Sequence, residues 1–305
     1  METSILLTTF NGEKYILEQL ESIKQQTLPA DEVIIIDDAS SDNTAKMIES
    51  YITKNNLSTW ILIVNKKNIG WRKNFFEGFK LCKGDYVFPC DQDDIWHPEK
   101  IEKMVTVMRT NPDIDLLACE YIPFYEQGEK LKNYQKRKFD NKIITRNFDS
   151  KWIYVNYPGC TYCFRRKFFE MLCPTWDTKY AHDAVLYRMA LLVGKFAVIN
   201  MPLIKFRRHQ NSATSQSKRR FTKKEREKEI EYIEDLCDKY YASAPNDEIK
   251  CVIKKTKEFA RGRLEYLRNP SIGKGIKLLL NYHGFYSSIK GWIADIFLAI
   301  QYTAY

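Results

Sequence analysis

Four short apolar runs alternate with segments of helical periodicity in the first third of the chain. The runs lie at 4–9, 32–36, 60–64 and 85–90, and the segments between and after them repeat apolar residues every three or four positions. Strands that alternate with helices form right-handed βαβ units, which pair as a parallel sheet. We therefore predict an α/β, Rossmann-like fold with a mostly parallel central sheet and flanking helices.

The pattern changes further along the chain. A strand predicted at 116–119 precedes a polar, basic stretch at 126–142, which indicates a surface excursion or a lid. Additional elements are predicted as strands near 160–164, 196–200 and 204–209 and as helices from about 166 and at 184–193. From 225 onward the sequence is helical and charged. We therefore predict an α/β domain at 1–215 and a helical C-terminal region at 216–305.

The first four predicted strands end in mostly polar sequences. These are Thr8, Thr9, Phe10 and Asn11, then Asp37 and Asp38, then 65–70, then Asp91, Asp93 and Asp94. Because the carboxyl ends of parallel strands meet at one edge of a sheet, these loops predict a ligand site there. Three carboxylates within four residues repel one another unless a cation compensates. A divalent-metal site is one interpretation of that acidic cluster, and an acidic surface turn is the alternative.

Charge and cysteine content narrow the setting. The formal net charge of +9 suggests an anionic partner, which charge alone leaves open as nucleic acid, nucleotide phosphate or acidic membrane. Eight cysteines without paired spacing, and a start without a basic signal-peptide region, predict reduced thiols in the cytoplasm. Cys160 and Cys163 are predicted to be buried structural thiols.

The C-terminal tail mixes apolar, aromatic and lysine residues from Ile276 onward. Such a composition suits helices that lie in a membrane interface, and packing on the catalytic core or on a partner subunit is the alternative. No apolar run reaches the roughly 18 residues that make a spanning helix probable from sequence. The tail therefore predicts peripheral contact at the inner face of the cell membrane.

The loop motifs occur in a specific order. They are Thr8-Thr9-Phe10-Asn11-Gly12, Ile36-Asp37-Asp38-Ala39-Ser40-Ser41-Asp42, Asn68-Ile69-Gly70 and Asp91-Gln92-Asp93-Asp94-Ile95-Trp96. This order resembles the family-two inverting glycosyltransferases, which have the nucleotide-sugar-dependent GT-A fold, over roughly residues 4–210. The last motif looks most like the bacterial rhamnosyltransferase branch that builds cell-surface polysaccharides.

The resemblance implies roles on the donor side. Thr8, Phe10 and Asn11 would line the nucleotide pocket, and Asp38 would accept the N3–H of a pyrimidine base. The other implied donor-binding residues are Arg72, Lys73, Asn74, Asp91 and Gln92. Asp93 would be the principal ligand of Mg²⁺ or Mn²⁺, with Asp91 and His209 beside it. Alternation along an extended chain points Asp91 and Asp93 one way and Asp94 the other, which predicts a structural role for Asp94.

On the acceptor side, the resemblance implies that Asp183 is the catalytic base; the competing interpretation is a helix N-cap. Trp96, Gly159 and His182 are expected to contact the acceptor. Arg207 and Arg208 are candidates to clamp phosphate.

The function that follows is metal-dependent transfer of a sugar, with rhamnose favoured, from a dTDP- or UDP-linked donor to a lipid-linked glycan. An oligomer is compatible with this prediction, and nucleic acid is not an expected partner. Two alternatives remain, a nucleotidyltransferase and a basic nucleic-acid-binding module. The first lacks its Gly-rich loop, because 9–14 contains only Gly12, and the second leaves the acidic loops unexplained. A calcium loop is excluded because Ile95 and Trp96 occupy positions that need an oxygen ligand and a glycine.

Overall fold

The computed structural model describes residues 2–125, 138–209 and 222–300. Contacts divide the chain into two units. The first contains 1–146, 156–190 and 194–215, and the second contains 147–155, 191–193 and 216–305. The predicted boundary at 215/216, the 126–137 part of the predicted lid and the 210–221 part of the basic run at 205–224 lie outside the described residues.

A nine-stranded sheet forms the first unit. Its strands are β1 (Thr3–Thr9), β2 (Glu32–Asp37), β3 (Trp60–Val64), β4 (Tyr86–Cys90), β5 (Ile95–Trp96), β6 (Leu116–Tyr125), β7 (Ile143–Arg146), β8 (Tyr162–Arg165) and β9 (Phe196–Arg208). They are arranged in the order β3-β2-β1-β4-β8-β6-β9-β5, and β7 also pairs with β9. The predicted α/β class with a mostly parallel sheet is confirmed.

The four N-terminal strands are parallel, as their alternation with helices predicts. Thr9 lies opposite Asp37 in the register, and Leu7 lies opposite Cys90, so the loops after these strands start at the same edge. Both faces of β1 and β2 are buried, which explains their unbroken apolar sequences. This geometry brings the polar loops together.

The second half of the sheet differs in detail from the prediction. β8 runs antiparallel to both β4 and β6. β6 extends to Tyr125, well beyond the predicted end at 119, and β9 is one strand where two were predicted. β7 was not predicted. The pairing of β6 with β9 shifts register around Glu120, and this irregularity lets a strand continue through the polar positions that looked like an end.

The ten helices of the described residues follow the predicted periodicity. They are α1 (Ile16–Lys24), α2 (Thr44–Lys54), α3 (Trp71–Phe79), α4 (Lys100–Thr110), α5 (Arg166–Leu172), α6 (His182–Leu192), α7 (Lys223–Ala242), α8 (Asp247–Arg268), α9 (Ile272–Tyr282) and α10 (Ile289–Ile300). The periodicity after the third strand predicts a helix over 71–82, and α3 ends three residues earlier, at Phe79. None of the helices in 2–125, 138–209 or 222–300 is long and apolar enough to cross a membrane.

The second unit is helical, as predicted for the C-terminal region. Thr222 and Glu225 form a capping box at the start of α7, and Asn246 caps α8. Phe259 of α8 is fully buried beneath the aromatic rings of Tyr282, Phe285 and Tyr286. Residues 147–155 also belong to this unit, where the indole of Trp152 donates to the Thr256 hydroxyl over 3.1 Å.

Candidate active site

The loop after β1 is held by the side chain of Gln92. Its Oε1 accepts the N–H of Phe10 over 2.8 Å, and its Nε2 donates to the Phe10 carbonyl over 3.0 Å. A Cβ at Gly12 would lie 2.3 Å from Gln92 Oε1, so a larger residue there would displace this amide. Gln92 was predicted to bind donor. In the structure its side-chain amide hydrogen-bonds the backbone of Phe10, and the ring of Phe10 is exposed.

Asn11 and Thr8 complete the first loop. Asn11 adopts φ 48, a conformation that asparagine tolerates, and its Oδ1 accepts the N–H of Ser41 over 2.8 Å. Thr8 is buried at the end of β1. These contacts join the loop after β1 to the loop after β2, as the shared sheet edge requires.

Asp38 organises the loop that precedes α3. Its carboxylate is buried and accepts three hydrogen bonds of 2.9 Å, from the N–H groups of Ile69 and Gly70 and from the Asn65 amide. Gly70 has φ 86, which favours glycine. The predicted base-reading residue therefore also holds the 65–70 loop in place.

The first turn of α3 separates the predicted donor residues into two groups. Arg72 and Lys73 are exposed, and the Arg72 guanidinium lies 4.4 Å from the centre of the Trp71 ring. Asn74 is buried, donates to the Ile36 carbonyl over 3.1 Å and accepts from Asn65. The expectation that Asn74 faces the donor is therefore corrected, because its amide bonds the sheet and the adjacent loop.

The acidic residues after β4 form a turn, and their side chains diverge. Asp93 Oδ2 lies 2.7 Å from His209 Nε2, so the structure brings together two of the predicted metal ligands, 116 positions apart. Asp91 instead lies with Asp94 and Cys160, with ligand atoms within 4.8 Å of one another. The expectation from an extended chain, with Asp91 beside Asp93 and Asp94 opposite, is wrong because the chain turns here.

Burial and mutual repulsion perturb these carboxyl groups. Burial, then the charges of Asp93 and Asp183, raises the pKa of Asp91 to about 7. Burial, then the charges of Asp93 and Asp91, raises the pKa of Asp94 well above its usual range. Burial also raises the pKa of the Cys160 thiol, which keeps it protonated. The cluster is therefore a place where a cation would be strongly favoured.

Two buried basic residues, Arg207 and Lys100, lie next to the acidic turn. The Arg207 N–H donates to Asp94 Oδ1 over 3.0 Å, and its guanidinium donates to the Asp93 carbonyl and to Glu18. Lys100 is fully buried and donates to the Cys160 carbonyl over 2.7 Å. The expectation that Arg207 clamps phosphate is corrected, because the chain itself occupies its guanidinium. Arg208 partly covers the ring of Phe206.

His182 and Gly159 meet on the opposite side of the site. A Cβ at Gly159 would lie 2.2 Å from His182 Nε2, so glycine is required for this approach. The His182 ring stacks on Phe75 at 3.8 Å, and neither ring nitrogen has a hydrogen-bond partner among the described residues. Burial lowers the pKa of His182 to about 3, which keeps the imidazole neutral. Trp71, which the sequence motifs did not indicate, is exposed, and its ring lies edge-on to that of His182 with 6.0 Å between the ring centres.

Asp183 lies in the first turn of α6, next to His182. Its Oδ1 accepts the N–H of Ala184, and burial raises its pKa although Arg188 and Arg72 oppose the shift. Asp183 also contributes to the raised pKa of Asp91, which places the two carboxylates in each other's field. Asp183 thus lies within electrostatic reach of the acidic turn, and its role as the base stays a prediction.

Trp96 lies in the core of the first unit. Its side chain is 2% exposed, and the Lys100 ammonium sits 3.3 Å from the centre of its ring. The expectation that Trp96 contacts the acceptor is therefore corrected. Its position in the motif is explained by β5, whose register with β9 directs the indole inward.

Comparison with known proteins bears on this arrangement. The model of glycosyl transferase family 2 matches residues 4–172, which is more than half of the chain. The chain belongs to this family. The match covers the acidic turn and Gly159, and it ends before His182, Asp183 and His209.

Two family relatives give the range of similarity. The amylovoran biosynthesis glycosyltransferase AmsE of Erwinia amylovora is 36% identical over 132 residues, which are 42% of this chain and 49% of AmsE. The chain therefore matches about half the length of that relative. The dTDP-rhamnosyl transferase RfbG of Shigella flexneri is 29% identical over 218 residues, which are 68% of this chain and 72% of RfbG.

A solved structure shows the same fold as this family 2 chain. The mannosyltransferase PcManGT of Pyrobaculum calidifontis, solved in complex with GDP-Man and Mn²⁺, superposes with a TM-score of 0.56 and 15% identity. The superposition covers all of this chain and 88% of PcManGT. The predicted GT-A fold is confirmed.

A divalent cation fits the acidic turn of this family member. Asp93 and His209, 2.7 Å apart, supply a carboxylate oxygen and an imidazole nitrogen, donors that suit Mn²⁺ or Mg²⁺, whereas the Asp91 carboxylate lies beside Asp94 and Cys160. A cation held at Asp93 and His209 would oppose the burial and the neighbouring charges that raise the pKa of Asp91. The alternative trio of Asp91, Asp94 and Cys160 is less suitable, because the thiol stays protonated and Asp94 bonds the Arg207 backbone.

Proposed function

We propose that this protein is a metal-dependent inverting glycosyltransferase that acts on a dTDP- or UDP-linked sugar. The observation that carries the proposal is the approach of two distant segments, at Asp183 and at His209, to the acidic turn at 91–94. Asp91 lies in the field of Asp93, which pairs with His209, and of Asp183 at the start of α6. The proposed metal ligands, Asp93 and His209, and the proposed base, Asp183, are thus all near Asp91. In this proposal residues 1–215 carry catalysis.

The donor side is assigned to the loops at the sheet edge. Thr8, Phe10 and Asn11 line the nucleotide pocket, and Asp38 reads the base with the carboxylate capacity left by its bonds to the chain. Arg72 and Lys73 are exposed and free to approach the diphosphate. Gln92 acts by fixing the loop at Phe10. Asp91, Asp93 and His209 would hold Mg²⁺ or Mn²⁺, with the Asp91 side chain turned towards the other two, and the ion would supply positive charge for the diphosphate when bound.

The acceptor side is assigned to Asp183 with Gly159 and His182. The Asp183 carboxylate takes the proton of the acceptor hydroxyl while that oxygen forms a bond to the anomeric carbon. The bond from the anomeric carbon to the diphosphate breaks on the opposite face, and the diphosphate leaves with its electron pair. A raised pKa suits Asp183 to this work, because a stronger base accepts the proton more readily.

We infer the sugar and the acceptor by analogy with the relatives. RfbG is named a dTDP-rhamnosyl transferase and AmsE belongs to amylovoran biosynthesis, which supports rhamnose and a cell-surface polysaccharide. We infer a lipid-linked glycan as acceptor. The protein would then work at the inner face of the cell membrane, with the helical region 216–305 contacting the bilayer.

A donor panel tests the proposal. The purified protein is mixed with dTDP-rhamnose, UDP-N-acetylglucosamine, UDP-glucose and GDP-mannose, with and without Mn²⁺, and both thermal stabilisation and release of nucleoside diphosphate are measured. We expect one pyrimidine-linked donor to stabilise the fold and turn over only with metal. Salt-sensitive binding of nucleic acid without turnover of any donor would contradict the proposal and favour the nucleic-acid-binding alternative.

A further inference from the structure

Two neighbouring helices of the second unit expose apolar side chains in regular rows. The row on α9 is Ile272, Ile276 and Leu280, and the row on α10 is Ile289, Ile293, Phe297 and Ile300. These side chains are between 51% and 85% exposed. Their spacing of mostly four residues places each row on one face of its helix. We call these seven residues the apolar rows.

Both rows face away from α8. On α9 the opposite face packs against α8, because Leu278 is buried and Gly275 approaches the Tyr266 ring. On α10 the opposite face buries Asp295, whose carboxylate accepts from Arg263 of α8 over 2.7 Å. The indole of Trp292 on α10 donates to the Gly275 carbonyl on α9 over 3.1 Å, which joins the two helices. Each apolar row therefore lies on the side of its helix that faces away from α8.

The segment that carries the apolar rows has a positive net charge, although one of its lysines, Lys274, pairs with Glu265 of α8 over 2.9 Å. Between residues 269 and 300 the sequence contains three lysines and one acid, Asp295. Asp295 is fully buried and bonded to Arg226 and Arg263, so it adds no negative charge to the surface. Lys277 follows Ile276 and Lys290 follows Ile289, and neither lysine has an ion pair in the part of the chain that the structure describes. Both can extend beside the rows.

We propose that the apolar rows of α9 and α10 dock on the surface of an anionic lipid bilayer. Helices with an apolar face and flanking lysines lie in the membrane plane with the apolar face among the acyl chains. The ammonium groups of Lys277 and Lys290 then reach the phosphates of the headgroups. Leu278, Tyr286 and Leu298 of the same segment are buried and cannot reach lipid. The proposed contact is therefore limited to the seven residues of the apolar rows and the two lysines. The link to a lipid-linked acceptor rests on the proposed function, whereas the docking itself does not.

Vesicle sedimentation with the full chain tests this surface. Wild-type protein should sediment with vesicles that contain phosphatidylglycerol and much less with pure phosphatidylcholine. Leu280→Ser combined with Phe297→Ser, one change per helix, should weaken binding at least tenfold, on the order expected for removing two buried apolar anchors. Lys277→Gln combined with Lys290→Gln should weaken binding to anionic vesicles by about fivefold per lysine and leave neutral vesicles unaffected.

Matched substitutions in the first unit serve as controls. Ile61→Ser with Met171→Ser removes apolar side chains of similar exposure, and Lys46→Gln with Lys54→Gln removes two exposed lysines of α2. Both double variants should bind vesicles as the wild type does. Equal binding by the Leu280 and Phe297 variant, or no binding by the wild type, overturns the proposal. A dimer that this variant dissociates in light scattering, with vesicle binding unchanged, would identify an interface between copies and also overturn it.

The readouts separate this proposal from the proposed function. Donor hydrolysis in solution should be the same for the wild type and all four double variants, because none changes a residue of the site. If every preparation lacks donor turnover but the vesicle pattern holds, the glycosyltransferase proposal fails and the docking surface stands. If turnover is normal and the vesicle pattern is absent, the docking surface fails alone.

Discussion

Both units bury carboxylates, but they satisfy them differently. In the second unit Asp295 receives hydrogen bonds from Arg226, Arg263 and the Tyr286 hydroxyl, at 2.7 to 3.1 Å. In the first unit Asp91 and Asp183 lie in each other's field, and burial raises the pKa of both. The charge of Asp295 is therefore compensated within the chain. The carboxylates of Asp91 and Asp183 lack such compensation and favour a cation or a proton from outside the chain.

This difference separates a structural charge from a candidate functional one. A buried carboxylate with two guanidinium partners fixes how helices pack, and its removal leaves uncompensated positive charge. Carboxylates that crowd together with perturbed pKa values are typical of sites that bind cations or move protons. The comparison therefore predicts that substitutions in the two clusters will affect different measurements.

The largest effect is expected for Asp183→Asn. The amide keeps the shape of the side chain but cannot take the acceptor proton, so kcat should fall by about 10²- to 10⁴-fold. Donor affinity, measured by calorimetry, should change little. Asp85→Asn, at an exposed position at the other end of β4, is the control. Full activity of the Asp183 variant would remove this residue from the mechanism and weaken the distinction between the two clusters.

The reverse pattern is expected for Asp295→Ala. Two arginines would lose their buried partner, which should lower the free energy of unfolding by about 3–5 kcal/mol in urea titrations. The exposed pair of Arg268 and Glu231, at 2.8 Å in the same unit, provides the control: Arg268→Ala should cost less than about 1 kcal/mol. A loss for Asp295→Ala no greater than this control would show that burial of the pair contributes nothing special.

How far sequence alone could reach differs between backbone and side chains. The alternation of apolar runs with helical segments was sufficient for the parallel half of the sheet, because that pattern depends on neighbouring residues. The resemblance to a family placed His209 beside Asp93 across 116 positions, which no local pattern could do.

The errors arose where a side chain had a choice of partners. Asn74, Trp96 and Arg207 each stand next to the site in sequence, yet each points into the chain. Which partner each side chain contacts depends on the packed fold. Arg207, for example, bonds Asp94, which is more than a hundred residues away in the sequence. The turn at 91–94 also broke the alternation on which the orientation of Asp91 was predicted.

The metal side of the first cluster is sharpened by His209→Ala. If His209 Nε2 and Asp93 Oδ2 hold the same ion, the variant should need about 10- to 100-fold more Mn²⁺ for half-maximal activity. His97→Ala, at an exposed histidine, should leave the Mn²⁺ titration unchanged. An unaltered titration for His209→Ala would mean that this imidazole only accepts or donates a hydrogen bond at Asp93.

The smallest effect concerns the neutral His182. Burial lowers its pKa to about 3 in the folded chain, against about 6.5 when unfolded, so only the unfolded state takes up a proton as the pH falls between these values. The stability that His182 contributes is present above about pH 6.5 and is lost on acidification, by about 2 kcal/mol between pH 7 and pH 5. Urea titrations at both pH values should show that His182→Gln reduces the acid-induced loss by this amount. His283→Gln, at an exposed histidine, should not change the loss. Equal pH dependence in the His182 variant and the wild type would mean that the His182 imidazole can be protonated in the folded protein. His182 would then be grouped with the side chains that exchange protons, and not with the residues that only pack beside Gly159.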